Sequence, residues 1–404
     1  MKYRVTMLCT VLILTGAVFA QDRKTLGLQE AIDLGIKSSK LLKISQAKID
    51  EATAALQEAI DKKWPNATAS ASYLRLNSAN IDLRSSANNN GGPKVSQALY
   101  GIVNLSMPIY AGGKIRYGIR SAELLKKAME LDSEMNKDEI IQNTIEAFAN
   151  LFKAGSQVRL IKENLASARQ RVKDLTNMEK NGLLARNDLL KAELQASTVE
   201  LNLLDAENNL DIANLNMDLM LGIPAETRLS LDTAGIEKAY DTRVMNDFVQ
   251  AAFKNRKDKA AIDLRKRSAE NGLLSVKAEK LPSLQLTGGY IAADIPNVIT
   301  ITNAINIGVG LSYNIASLWK NKAKVKQAES RVQQMQYNEE LLDDRIRLQV
   351  SRDYLTVISN RKKVEVYAKA LEQAAENERI VKKDRKSTRL NSSHANISYA
   401  VFCL

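Results

Sequence analysis

Residues 101–113 read Gly101-Ile102-Val103-Asn104-Leu105-Ser106-Met107-Pro108-Ile109-Tyr110-Ala111-Gly112-Gly113. The positions Gly101, Val103, Leu105, Met107 and Ile109 fall at every second residue, the period of a strand with one apolar face. After Lys114 the period becomes helical with no loop between, and no proline interrupts it to about Lys180. The junction Pro108, Gly112 and Gly113 thus joins a strand directly to a helix that could reach about 100 Å. A shift of 206 positions, Val103 to Val309, brings the device back. Val309, Leu311, Tyr313 and Ile315 replace Val103, Leu105, Met107 and Ile109, Ser312 replaces Ser106, and Ala328-Glu329 replaces Ala122-Glu123. The chain is an internal duplication.

Working outward, a helical apolar stripe from Leu26 to Lys63 is stopped by Trp64-Pro65, because proline disfavours helical geometry in the residue before it. Ala67 to Leu76 reads as a weakly alternating strand, and Asn77 to Ser96, with Asn88-Asn89-Asn90-Gly91-Gly92-Pro93, as a loop. Beyond the long helix, Asn181-Gly182 marks a turn and a second helix returns from Asn187 to Leu221. Val158, Ile161, Leu165, Ala168, Val172 and Leu175 alternate threes and fours on the first helix, and Leu190, Leu194, Leu201 and Leu204 mark the seam expected on the second. The two form an antiparallel hairpin, with Gly182 ending one helix and Asn187 capping the next. Ala225 to Asp241 is a short mixed segment. The second copy follows: a helix from Val244 to Glu279, a stop at Leu281-Pro282, a strand from Leu284 to Ala292, and a long helix from Asn321.

The fourth strand alternates most clearly. Ile305, Ile307, Val309, Leu311, Tyr313 and Ile315 lie between Asn306, Gly308, Gly310, Ser312 and Asn314. A soluble sandwich would use the apolar face as its core and turn the polar face to water. Too few strands exist here to build such a core, and the strands have membrane-spanning length. A transmembrane barrel instead turns the apolar face to lipid and Asn306, Gly308, Gly310, Ser312 and Asn314 to the lumen. Four strands cannot close a barrel, and open edges in lipid leave backbone groups unpaired, so several chains must share one.

Both ends are set apart. Residues 1–20 carry Lys2 and Arg4, an apolar run and Val18-Phe19-Ala20 before Gln21, the pattern of a secretory signal peptide. Residues 384–404 resemble the translation of a sequencing adaptor, which makes Lys382 or Lys383 the last authentic residue expected. Without these ends Cys9, Cys403 and the only histidine, His394, are gone, which excludes disulfides, thiol nucleophiles, histidine triads and Cys- or His-based zinc sites. The formal charge of +12 falls by two for Lys2 and Arg4 and by two for Arg385, Lys386 and Arg389 against Asp384, to +8. That charge reads as a solvated face on long helices, not a nucleic-acid surface. Gly112-Gly113-Lys114 lacks the upstream glycine and the hydroxyl of a phosphate loop, and Gly308-Val309-Gly310 has Tyr313 where a dinucleotide fingerprint needs glycine. Asp343-Asp344 reads as surface charge beside Arg345 and Arg347. No catalytic group, cofactor or metal is expected.

From Leu26 to Lys383 the chain resembles the TolC-type outer-membrane efflux channels. The duplication carries the resemblance, with the Trp64-Pro65 and Leu281-Pro282 entries, residues 108–113, the tip Gly182-Leu183-Leu184-Ala185-Arg186-Asn187-Asp188-Leu189-Leu190 and Leu219-Met220-Leu221-Gly222-Ile223-Pro224. It implies a mainly helical chain with four strands contributed to a shared barrel of twelve in the outer membrane. It further implies a homotrimer, a helical barrel through the periplasm, and docking to a periplasmic adaptor and an inner-membrane pump. Gly182, Leu183, Ala185, Asp188 and Leu189 would lie at the adaptor contact. A periplasmic adaptor or a structural coiled coil are the alternatives, and neither explains a strand fused to a helix. The resulting division is 1–20 signal peptide, 21–222 first repeat, 223–243 equatorial segment, 244–383 second repeat and 384–404 tail. The second repeat is expected to lack a returning helix, so a channel built from it would not close its helical wall.

Overall fold

The computed structural model describes residues 23–80, 94–234, 243–296 and 298–387. Residues 1–22, where the sequence suggests a signal peptide, the centre of the first strand connection and residues 388–404, with Cys9, His394 and Cys403, lie outside the described residues. Two units are distinguished: Met1–Tyr240 with Ala260–Met335, and Asp241–Lys259 with Gln336–Leu404.

The helix expected from Leu26 to Lys63 is three elements. Strand β1 (Arg23–Gly27) holds the fully buried Leu26, and helices α1 (Leu28–Ser38) and α2 (Lys40–Asp61) follow, separated by Ser39. Ser39 leaves the helical region at φ −58° and ψ 117°, and its hydroxyl accepts the Leu42 N–H at 3.2 Å, capping α2. After strands β2 (Asn66–Asn80) and β3 (Lys94–Tyr110) come helix α3 (Lys114–Lys180), helix α4 (Arg186–Leu221) and strand β4 (Arg228–Asp232). The loop expected over Asn77–Ser96 is shorter than the sequence suggested, since β2 continues to Asn80 and β3 begins at Lys94. The second copy repeats the break. Helices α5 (Met245–Asn255) and α6 (Lys257–Ala278) part at Arg256, with φ −67° and ψ 130°, where one helix from Val244 to Glu279 was expected. From Ser39 to Arg256 is 217 positions, the spacing of Pro65 and Pro282, so the break belongs to the duplicated unit. Strands β5 (Ser283–Ile295) and β6 (Ile299–Ser312) precede helix α7 (Ser317–Ser387). Helix α7 starts before Asn321 because the Ser317 N–H already donates to the Asn314 carbonyl at 2.9 Å. It runs past Lys383, since nothing in Asp384-Arg385-Lys386 breaks a helix.

In the first unit a belt core closes where the short elements meet the hairpin. Leu26, Ala31, Ala147, Phe148, Leu151, Met217 and Leu221 pack together, and β1 pairs in parallel with β4. Helices α3 and α4 run antiparallel, because Lys162 pairs with Glu207 at 2.8 Å and Arg169 with Glu200 at 2.9 Å, one partner rising as the other falls. Val158 and Leu165 are buried as expected, but Leu190, Leu194, Leu201 and Leu204 are exposed. The real seam on α4 is Leu189, Ala192, Ala196, Val199, Leu203, Ala206, Leu210, Ala213 and Met217, also in threes and fours and partly or fully buried throughout. Helix α4 therefore carries two apolar stripes, and the more leucine-rich one is free within the chain.

In the second unit α5 lies along α7. Phe248 meets Tyr354 at 6.0 Å between centroids, and Arg347 covers the Phe253 ring at 5.5 Å. Lys259 binds Glu339 at 2.9 Å and Asp343 at 2.7 Å. Asp343 is thus a half-buried ion-pair partner and not the surface charge the sequence suggested.

Candidate functional site

The sheet has the strand order β2-β3-β5-β6, all neighbours antiparallel. Residues directly opposite in an antiparallel pair share a face, so the register sorts the whole sheet. One row is Asn66, Ser106, Thr287 and Gly308, and the next is Thr68, Asn104, Gly289 and Asn306. Between them runs Ala67, Leu105, Gly288 and Ile307, followed by Ala69, Val103, Tyr290 and Ile305. Gly310 opposes Gln285 and Ser312 opposes Ser283, extending the polar face. In these rows the alternation read on single strands continues across all four, including the weak first strand, whose Ala67, Ala69, Ala71 and Tyr73 fall on the apolar side; the next row of the other face, Ser70, Ile102, Ile291 and Ala304, is largely apolar and bounds the polar stretch. Asn314 is a correction: β6 ends at Ser312, and Asn314 belongs to the turn that starts α7. The apolar row on β6 is open, with Ile305, Ile307, Val309 and Leu311 all highly exposed. Strands of 13 to 17 residues exceed the 9–11 or so that cross a bilayer. Among the described residues no helix is long and apolar enough to do so.

The strand-to-helix junction is tightly built. The ladder between β3 and β5 shifts register between Pro108 and Tyr110, as proline cannot donate to it. Gly112 has φ +62°, and a Cβ there would lie 2.8 Å from the Ala278 carbonyl and from Leu281 Cβ. Gly113, at φ +88°, is the residue before α3, and its carbonyl accepts the Tyr117 N–H at 3.0 Å. Past α6, Glu279 accepts from Lys114 Nζ at 2.8 Å and from Lys324 Nζ at 3.0 Å, tying the first turn of α3 to the second turn of α7. The Lys114 hydrogen bond, then that of Lys324, holds the Glu279 carboxyl below its ordinary value despite partial burial.

At the hairpin tip Gly182 turns at φ +70°, and the Leu183 N–H reaches back to the Met178 carbonyl at 2.9 Å. The residue before α4 is Ala185, with no side-chain cap, so Asn187 is inside the helix and does not cap it. Gly182, Leu183, Ala185 and Asp188 are exposed, Leu183 to 72%. Leu189 is 1% exposed and closes the inner seam, so its side chain cannot reach a partner as the tip reading expected. Asp188 binds Lys191 at 3.2 Å on its own helix.

Sequence reasoning missed the belt anchor. Asp218, in the last turn of α4, has no exposure, and its Oδ2 accepts from Asn214 Nδ2 at 2.9 Å. Asn214 Nδ2 also donates to the Thr227 carbonyl at 2.7 Å, and Asn214 Oδ1 accepts the Leu229 N–H at 3.0 Å, hanging β4 on α4. An Asn and an Asp four residues apart on a charged helix carry no signal that one is buried. Among the described residues no group of three or more His, Cys, Asp or Glu side chains could hold a metal ion.

A sheet with two unlike faces, joined twice through turns of three and four residues to helices of 67 and 71 residues, is the fold of outer-membrane efflux channels with a β-barrel and a helical barrel. The family model described as outer membrane efflux protein matches residues 31–223. VceC from Vibrio cholerae superposes with a TM-score of 0.73 at 16% identity, covering 90% of this chain and 87% of VceC. The Campylobacter jejuni CmeC outer membrane channel gives 0.74 at 18% identity, covering 90% of this chain and 78% of CmeC. A membrane protein from Pseudomonas aeruginosa gives 0.75 at 15%, covering 93% and 84%. At these identities the likeness concerns the fold. No curated protein matches the sequence. The family match and the shared fold together support a channel role.

Proposed function

We propose that the chain is the outer-membrane channel of a tripartite efflux or type I secretion system, a passive trimeric conduit carrying small molecules or proteins out of the periplasm. The observation that carries this reading is the four-strand register, which gives the sheet one apolar face for lipid and one face of Asn306, Gly308, Gly310, Ser312 and their partners for a wet lumen. Strands β2 and β6 are both edges, and in lipid their unpaired backbone requires neighbouring copies. Three copies would give a barrel of twelve strands. The free leucine stripe of α4 offers a second seam for joining copies along the helices. Gly182, Leu183, Ala185 and Asp188 at the tip would meet a periplasmic adaptor, and through it an inner-membrane pump that supplies the energy.

The same leucine stripe would serve a periplasmic adaptor or a structural coiled coil, but neither uses a sheet with a lipid-type face. Fractionation separates these readings. The channel partitions with outer membranes, runs as a heat-sensitive oligomer on a gel and conducts ions in a planar bilayer. A protein that stays in the periplasmic fraction as a monomer would support one of the other two.

A further inference from the structure

Among the described residues, the belt that joins the hairpin to β1 and β4 contains one buried carboxyl with no cation beside it. Asp218 is wholly inside, and its Oδ1 has no hydrogen-bond partner among the described residues. Its neighbours along the helix, Met217 and Leu221, belong to the belt core. Its one polar contact, Asn214, is the side chain on which Thr227 and Leu229 hang, so the strand pair β1–β4 depends on it.

The charges on the described side chains of the surrounding elements are occupied or exposed. Lys24 on β1 pairs with Glu30 on α1 at 2.9 Å, and Arg228 on β4 pairs with Asp211 on α4 at 3.1 Å. Asp33 and Lys37 on α1, Glu146 on α3, Glu226 before β4 and Asp232 on β4 are exposed. On the belt side α1 presents Gly35 and Ser38, whose hydroxyl donates to the Met220 carbonyl at 2.8 Å. Helix α3 presents Thr144, which donates to the Ile140 carbonyl of its own helix at 2.7 Å.

We propose that Asp218 is a proton-operated latch on the belt: neutral, it leaves Asn214 and the β1–β4 pair tightly held, and ionised, its unpaired buried charge loosens them. The arrangement ties the rigidity of the belt to the acidity of the surrounding compartment. Burial pushes the Asp218 carboxyl from an ordinary 3.8 up to about 6, against a smaller downward pull from Asn214. Among the described carboxyls with a resolved shift, Glu123, Glu279, Glu365 and Glu376 all move the other way. The only histidine is His394, outside the described residues. A group raised on folding contributes stability that is fully present below its unfolded value and lost as pH rises through its folded value. For values of 3.8 and about 6 the opening equilibrium of the belt rises about tenfold from pH 5 to pH 7.5.

The test is hydrogen exchange by mass spectrometry on the full chain in detergent, with intrinsic rates corrected for pH. The proposal expects protection over residues 227–232 to fall about tenfold between pH 5 and pH 7.5 in the wild type. It expects no such fall in Asp218→Asn, or in Asp218→Leu should the amide not fold, and wild-type behaviour in Asp205→Asn, an exposed position of the same helix. Wild-type protection that is flat across this range overturns the proposal whether or not a variant folds. So does a tenfold fall that persists once Asp218 is neutral.

Discussion

Lys114, the first residue of α3, and Glu279, just past the end of α6, form a 2.8 Å ion pair across the junction of strand and helix. Both Lys114 and Lys324 are largely exposed, so the cluster contributes about 0.5–1 kcal/mol, in the range of surface pairs. Because the Glu279 carboxyl is held below its ordinary value, that contribution is present above about pH 4.5 and lost as pH falls through the folded value. Thermal melts of Glu279→Gln should lie slightly below wild type at pH 7, and the two should converge as pH falls below the ordinary carboxylate range.

The left-handed glycines separate backbone strain from crowding. Gly222 ends α4 at φ +68°, and a Cβ would lie 2.7 Å from Ser38 Cβ. Gly182 has φ +70° with open space around it. Gly182→Ala should cost about 1–2 kcal/mol from the backbone alone, and Gly222→Ala more, because α1 must also shift. Denaturant titrations that rank them the other way would contradict the close approach of α1 and α4.

Two leucines six residues apart at the tip should behave oppositely. Leu189→Ala removes a buried side chain and should cost about 2–4 kcal/mol, read as lost protection of the hairpin tip. Leu183→Ala should change stability by less than about 0.5 kcal/mol and yet weaken adaptor capture in a pull-down. If both variants capture the adaptor normally, the tip is not the contact.

The second leucine stripe predicts an assembly defect without a folding defect. Leu201→Glu with Leu204→Glu puts two charges on an exposed face of α4 and leaves the inner seam intact. Circular dichroism should be unchanged while the heat-sensitive oligomer disappears from gels.

Much of the architecture was legible because it rests on periods and punctuation. The change from two to 3.6 at Lys114, the stops at Pro65 and Pro282, and the turns at Gly182 and Gly222 are all written in residue types with a steric reason behind them. The breaks at Ser39 and Arg256 were not legible, since neither residue forbids a helix. The leucine seam on α4 was misassigned for a related reason. Two stripes one position apart both satisfy the heptad, and alanines at 192, 196, 206 and 213 pack closer to α3 than leucines can. Tip sequence does not say which side chain turns inward, so the burial of Leu189 is not legible in it. Asp218 was invisible because the short alternation Arg228-Leu229-Ser230-Leu231-Asp232 does not say which helix β4 covers.

The measurement that tests the two-faced wall most directly is single-cysteine labelling along residues 305–312 in outer-membrane vesicles, with Cys9 and Cys403 replaced. A membrane-impermeant, water-soluble maleimide should label Asn306→Cys, Gly308→Cys, Gly310→Cys and Ser312→Cys and leave Ile305→Cys, Ile307→Cys, Val309→Cys and Leu311→Cys unmodified. Uniform labelling, or labelling of the apolar positions instead, would contradict a sheet that separates lipid from lumen.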